Sequence, residues 1–432
     1  MNLNYGHDIY NLAKKLYPIN RSLTGQGFRD SLKIIDEELG GGCLNIHEIK
    51  SGTKAYDWTV PDEWHINDAY IITPDGEKIC DFKALNIHVL GYSEAIDKEV
   101  SLKELNEHLY SLENNQDAVP YVTSYYQRRW GFCIKHSDRV KLKDGIYKVF
   151  IDSKHDENGV LNYADYVIKS SYGNEDEILI STYLCHPSLA NDNLSGPCVA
   201  TYLIKELLKI KEQKGLKYNY RFVFIPETIG SIVYISKHLE HLQKNVKAGF
   251  VLTCLGDDMA YSILHSPDEN TLADKVAYHV LNDKYNFKSY SFYERGSDER
   301  QYCSPLVGLP VVGICRSKYS EYMQYHTSLD NLDFISEKGL SGGFSAMLEI
   351  IKTLEINENY QVTVFCEPQL GKRGLYRTIC IKGAGRPVVA DVLAFANGKN
   401  DVIDIANKLN LKVYELENDI NALLEHELIK KV

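Results

Sequence analysis

Apolar residues recur at helical spacing at the start of the chain. Ile9, Leu12, Ala13 and Leu16 fall on one stripe of a helix. Arg21-Ser22-Leu23-Thr24-Gly25 interrupts that pattern, and a second helical stretch over 27–39 ends at Gly40-Gly41-Gly42. The texture then changes. Short apolar runs at 69–73 and 87–90 read as strands, separated by Pro61-Asp62, Pro74-Asp75-Gly76 and Gly91, with one polar helix at 102–112. This pattern predicts a β-rich inserted domain over 51–127, set into a larger domain made of 1–50 and 128–365.

From 145 to 354 strands and helices alternate. The runs 147–152 and 163–170 read as a pair of strands, and the mostly apolar 178–184 as a buried central strand. Helix 195–210, strand 220–225, helix 232–242, strand 248–254, helix 272–283, strand 310–315 and helix 336–354 come after it. Such alternation predicts an α/β fold: a mostly parallel central sheet flanked by helices. Ligands in such folds bind outside the carboxyl ends of the strands. After the break Glu367-Pro368-Gln369-Leu370-Gly371-Lys372-Arg373-Gly374, helices at 388–396, 402–409 and 415–427 and a closing strand at 428–432 predict a winged helix-turn-helix domain over 366–432.

Composition narrows the picture. The chain has 432 residues, 44% hydrophobic and 25% charged, which is enough to bury a core without staples. A net charge of -11 argues against a protein whose whole surface meets nucleic acid. The 10 cysteines form no C-x-x-C pair, so reduced thiols in a cytoplasmic protein are expected. No apolar run reaches ~18 residues, and Met1 to Tyr10 lack a basic start with an apolar core. Neither a membrane span nor a secretory signal is expected.

Ionisable residues gather where the strands should end. His186 and Asp192 come after the 178–184 strand, Glu227 after 220–225, and His326 lies in the loop after 310–315. Two imidazoles and a carboxylate on adjacent loops suit one zinc ion with a fourth position open to water. Glu227 would then take the proton from that water. Each residue also has a plainer reading: Asp192 and Glu227 could cap the helices after them, His186 could bond a backbone carbonyl, and His326 could be a surface loop residue.

Taken in order, His186, Asp192-Asn193-Leu194-Ser195-Gly196, Glu227, Ser297-Asp298 and Tyr325-His326-Thr327 resemble the motifs of zinc aminopeptidases of the leucyl-aminopeptidase and glutaminyl-cyclase type. The resemblance covers about 200 residues. Arg128 to Cys133 and the Glu367 break further resemble a bacterial aminopeptidase-like subgroup with an insertion and a C-terminal winged helix, often associated with surface polysaccharide synthesis. Three positions depart from the family: Ser188, Thr228 and Thr253 stand where it carries acids for a second metal. The resemblance therefore implies one zinc per chain, held by His186, Asp192 and His326, with Glu227 as general base. It also implies a small peptide or amide substrate; Asp298 or Glu299 are candidates to meet its free amine, Arg300 or Arg295 a carboxylate, and the Tyr325 hydroxyl the oxyanion. A cyclase using the same site, or a regulatory protein with weakened catalysis, remains open.

The winged helix adds a partner question. From Gly371 onward Lys and Arg number about 10 against about 8 Asp and Glu. A phosphate-binding surface wants a clearer excess. Homo-oligomerisation is the expected role, ahead of DNA binding.

Overall fold

The computed structural model describes residues 5–375 and 388–432. The chain forms two compact units. The first runs up to Ala273 and takes in Tyr285–Ser345. The second comprises Asp274–Lys284 and Ala346–Val432.

The first unit opens on helices Gly6–Leu16 and Gln26–Leu39, whose stripes Ile9, Leu12, Leu16 and Phe28, Leu32, Ile35 are buried. The second helix stops because Gly40 takes a left-handed φ of 111°. The Asp36 carboxylate then accepts the backbone N–H groups of Gly42, Cys43 and Leu44 at 2.7–2.8 Å.

An eight-stranded mixed sheet forms the centre. Its spatial order is Asn45–Lys50, Val160–Ile168, Asn219–Ile225, Glu177–Tyr183, Val246–Leu252, Val311–Cys315, Tyr261–Leu264, Phe287–Tyr290. The four strands in the middle, from Asn219–Ile225 to Val311–Cys315, run parallel. Antiparallel pairings appear toward both edges. All seven residues of Glu177–Tyr183 and of Asn219–Ile225 are buried, as strands covered on both faces should be. Register sets where the loops emerge. Tyr183 pairs with Ile225 and Leu252 with Ile314, so the loops after these strands leave one edge of the sheet together.

Helices Ser195–Lys214 and Ile229–Asn245 return the chain from that edge. The first approaches the sheet closely through Gly196. A Cβ there would lie 2.3 Å from the Leu252 carbonyl oxygen and 2.5 Å from Thr182 Oγ1, a space only glycine leaves free.

A second sheet has the order Lys78–Ile79, Glu63–Ile72, Ile146–Asp156, Ile96–Ser101. It is packed around Ile71, Val100, Val149, Ile151 and Phe132. Two expectations are corrected here. The run 147–152 does not pair with 163–170. It pairs antiparallel with Glu63–Ile72 and Ile96–Ser101, because its alternating face Tyr147, Val149, Ile151 completes this second core. The run 87–90 is no strand: Asn86–His88 is a 3-10 turn, and only Val89 bridges to Phe132. The polar helix is also shorter than expected, Leu102–Glu107.

The second unit carries helices Val388–Phe395, Val402–Leu409 and Val413–Glu425 and a three-stranded antiparallel sheet, Asn397–Asp401, Asn359–Val362, Ile429–Lys431. Asp401 caps its helix in a reciprocal box with Asp404. This is a winged helix whose sheet begins before residue 366.

Candidate metal centre

His186 sits just past the central strand Glu177–Tyr183, and its loop is anchored from far away in sequence. The buried Arg21 donates from Nη2 to the His186 carbonyl at 2.7 Å and from Nη1 to the Leu16 carbonyl. Burial lowers Arg21 to about 10.

Asp192 lies in the tight turn Ala190–Leu194 and itself leaves helical geometry, at φ -107° and ψ 88°. Asp330 makes that turn. Its carboxylate accepts the N–H groups of Asn191 at 2.6 Å and Asp192 at 2.9 Å, while its carbonyl accepts that of Ala190 at 2.8 Å. Burial pushes the Asp330 carboxyl up to about 7 even though these backbone bonds pull it down. Asn191 ties the turn to the next loop by donating to Asp257 Oδ2 at 3.0 Å and accepting from Gly256 N at 2.7 Å.

The turn aims one carboxylate oxygen each way. Tyr183 donates its hydroxyl to Asp192 Oδ1 at 2.6 Å, and Thr253 Oγ1 lies 3.4 Å from the same oxygen. Asp192 Oδ2 faces His326 Nε2 at 3.0 Å and His186 Nδ1 at 3.5 Å. Both Asp192 Oδ2 and His326 Nε2 are enclosed without a hydrogen-bond partner. His186 Nδ1 is 3.3 Å from the Asp192 backbone carbonyl, so a proton held there leaves Nε2 as the lone-pair nitrogen.

His326 is positioned by its neighbours. Its φ is +53°, its carbonyl accepts from Tyr121 N at 2.8 Å, and its ring stacks on Tyr325 at 3.9 Å and 13°. The three expected ligands thus offer donor atoms within 4.8 Å of one another. They form the one such His/Cys/Asp/Glu group among the described residues.

The electrostatics favour a cation in their midst. Burial alone would raise Asp192, yet His186 and His326 hold its carboxyl well below the usual range. Burial alone would lower His186, yet Tyr121 and Asp192 keep it well above its ordinary value. Buried oxygen and imidazole donors with unmet bonding capacity suit a borderline-soft divalent ion such as zinc.

Glu227 closes the site. Its Oε2 lies 3.5 Å from His186 Nε2, and its Oε1 accepts from Ser297 Oγ at 3.0 Å. Next to it, Thr228 has φ +63°, a left-handed conformation that a β-branched residue adopts only when held. Asp298 holds it, with Oδ1 accepting Thr228 N at 2.8 Å and Ser231 Oγ at 2.7 Å. The expectation that Asp298 meets substrate is therefore corrected. Asp298 is fully buried and supports the Glu227 loop. Burial and the nearby Glu227 push it up to about 7. Glu299 is likewise buried, accepting from Gly296 N, Ser297 N and Tyr319 Oη.

A cavity of about 320 Å³ opens over these residues. Glu227, His186, His326 and Arg300 line it together with the aromatic rings of Trp58, Tyr121, Tyr125 and Tyr126. Tyr325, expected to meet substrate, does not line this cavity; it braces His326 instead. Arg21, Tyr183 and Tyr121 were not singled out from the sequence. The one available signal was that Arg21 sits in an otherwise small, polar break.

A parallel-centred sheet with this donor cluster at its carboxyl edge defines an aminopeptidase-like protein with a candidate metal site. The chain belongs to the family described as a domain of unknown function, DUF4910, which matches residues 10–357, and residues 358–431 match a winged helix-turn-helix family. It is 42% identical over 438 residues to a Clostridium acetobutylicum protein provisionally named a polysaccharide biosynthesis protein with an aminopeptidase-like domain; the match spans 99% of this chain and 97% of that one. A crystal structure from Clostridium acetobutylicum, provisionally described as a peptidase, is similar at TM-score 0.89 and 40% identity, over 99% of this chain and 96% of that one. BSAP, a zinc aminopeptidase from Bacillus subtilis, shares the fold at TM-score 0.56 and 14% identity, over 80% of this chain and 95% of that one. Among the described residues no helix is long and apolar enough to cross a membrane.

Proposed function

We propose that this chain is a zinc-dependent, aminopeptidase-like hydrolase that cleaves a small peptide or a related amide. One ion per chain would be held by His186, Asp192 and His326. The observation that carries the reading is the pair of enclosed donors, Asp192 Oδ2 and His326 Nε2, 3.0 Å apart and bonded to nothing else among the described residues. The two atoms face each other without hydrogen-bond geometry, which leaves bonding capacity that a shared cation would take up.

When bound, zinc supplies a Lewis acid for the amide carbonyl and lowers the pKa of water toward ~7. The chain's residues do the rest. Glu227 takes the proton of the attacking water and passes it to the departing amine. Ser297 fixes the Glu227 carboxylate from one oxygen, leaving the other toward His186 and the cavity. Tyr183 and the Asp330 clamp keep Asp192 aimed. Stacking on Tyr325 keeps the His326 ring in plane.

The nine described cysteines are all free and seven of them are buried, which fits a reducing, cytoplasmic setting. The name of the Clostridium relative points to polysaccharide biosynthesis, so an amide carried on a sugar belongs on the substrate panel.

Elemental analysis should find about one zinc per chain, and His326→Ala should lose it. Hydrolysis across a panel of amides, aminoacyl amides and N-acylamino acids among them, should need both the metal and Glu227. Full zinc retention by His326→Ala would remove the proposed site. Cyclisation of N-terminal glutamine substrates without hydrolysis would move the reading to an acyl-transfer enzyme.

A further inference from the structure

Arg300 is the charge in this cavity that the proposed chemistry does not use. It comes from the short helix Glu299–Tyr302, beside Asp298. Its Nη2 donates to Thr228 Oγ1 at 2.7 Å, next in sequence to the general base. Its Nε is enclosed with no partner, and no carboxylate among the described residues lies in ion-pair range of it. A half-buried guanidinium is normally satisfied by an acid. Here the protein does not provide one.

The rest of the lining points the same way. Glu227 is the sole carboxylate lining this cavity, and it is committed to Ser297 and His186. The other acids close by in sequence, Asp298 and Glu299, are buried behind it. A free substrate ammonium would thus find no spare acid, whereas an anion would find Arg300. The same guanidinium also lines a neighbouring cavity of about 630 Å³, together with Arg295 and the acid Asp268. The rings of Trp58, Tyr121, Tyr125 and Tyr126 line the same cavity as Glu227 and suit a flat or ring-bearing group.

Resting on the hydrolase reading, we infer that the substrate is an anionic amide. Its carboxylate pairs with Arg300, and its ring or apolar part lies against the aromatic rings. The planar fork of arginine is suited to a carboxylate, and a charge-assisted contact away from bulk water is the kind that discriminates strongly.

The full-length, zinc-supplemented protein can be titrated calorimetrically with N-acetyl-L-tyrosine and with its neutral amide, N-acetyl-L-tyrosinamide. The carboxylate should bind on the order of tenfold more tightly. Arg300→Gln should bring the two probes level, and Arg300→Lys, which keeps the charge, should keep part of the preference. Equal binding of both probes by the unaltered protein would overturn the inference. So would a full preference surviving in Arg300→Gln, since the carboxylate would then sit elsewhere, the metal included. The hydrolase reading fails by a different result: no zinc and no Glu227-dependent hydrolysis. An Arg300-dependent preference in such a protein would leave the anion pocket standing alone.

Discussion

At the scale of single residues, the candidate site rests on side chains outside the ligand trio, which hold that trio in place. Tyr183 donates its hydroxyl to Asp192 Oδ1 and so turns Oδ2 toward the histidines. Tyr183→Phe removes that bond and little volume. Zinc affinity, read by competition with a chelator, should fall on the order of tenfold to a hundredfold while the fold persists. Asp298 gives a second prediction, in stability. Its folded-state pKa is about 7 against an ordinary 3.8, raised by burial and then by Glu227. The folded form therefore holds a proton that the unfolded chain releases near pH 4. The stability this lends is present below pH ~4 and drains away as pH rises through about 7, by an amount on the order of a few kcal/mol. Asp298→Asn keeps the acceptor for Thr228 N and Ser231 Oγ but cannot titrate. Its melting temperature should change less than that of the parent between pH 4 and 7; parallel curves would contradict the assignment. That His186, Asp192, Glu227 and His326 lie near one another was legible in the sequence because each comes after a strand end. Arg21 was not, because it reaches His186 across 165 positions that only the fold closes. Asp298 was legible as a site residue but in the wrong role, since nothing in its neighbours shows that it lies behind Glu227.

At the scale of elements, the site depends on how closely the helix Ser195–Lys214 seats on the sheet. Its first turn continues directly from Asp192, and Ser195 Oγ both donates to the Asn191 carbonyl at 2.6 Å and accepts Leu255 N at 2.7 Å. Gly196 lets that turn lie against Leu252 and Thr182. Gly196→Ala places a methyl inside the contact distance of a backbone oxygen, which cannot move as a flexible side chain can. Overpacking of this kind costs roughly 1–3 kcal/mol. The substitution should lower the melting temperature and weaken zinc together, through displacement of Asp192. A variant as stable and as zinc-competent as the parent would show that the helix can shift without moving the turn. The central strands were readable because continuous apolar runs between turn signals leave few alternatives. Partners were harder. Alternation along 147–152 shows that one face is buried but not which strand lies beside it, and the second sheet claimed it. The run 87–90 is apolar because Ile87 and Leu90 pack inward from a turn, a pattern too short to tell from a strand.

At the scale of the whole molecule, the winged helix poses the question of nucleic acid. Three helices and a closing strand were legible in the sequence at 388–396, 402–409, 415–427 and 428–432. Asn359–Val362 and Asn397–Asp401 were not, being short strands that exist by pairing with each other, the first also with Ile429–Lys431. The presence of the fold says little about DNA, because the groove contact would fall to the third helix and its charge. That helix, Val413–Glu425, exposes Glu415, Glu417 and Glu425. Several of the nearby cations are engaged within the unit. Lys412 pairs with Asp283 at 3.1 Å and bonds the His279 carbonyl, Lys275 pairs with Asp401 and Asp404, and Lys431 pairs with Glu358. Freeing them for phosphate would break those bonds, and the acidic helix would repel the backbone it must approach. Few phosphates would be neutralised, so the counterion release that drives non-specific binding would be small. Mobility shifts with random duplex at moderate salt should therefore show little binding by the full chain, with a shallow dependence on salt at low ionic strength. Tight binding that weakens steeply with salt would mean that a basic face forms some other way, and would make DNA contact, rather than self-association, the role of this unit.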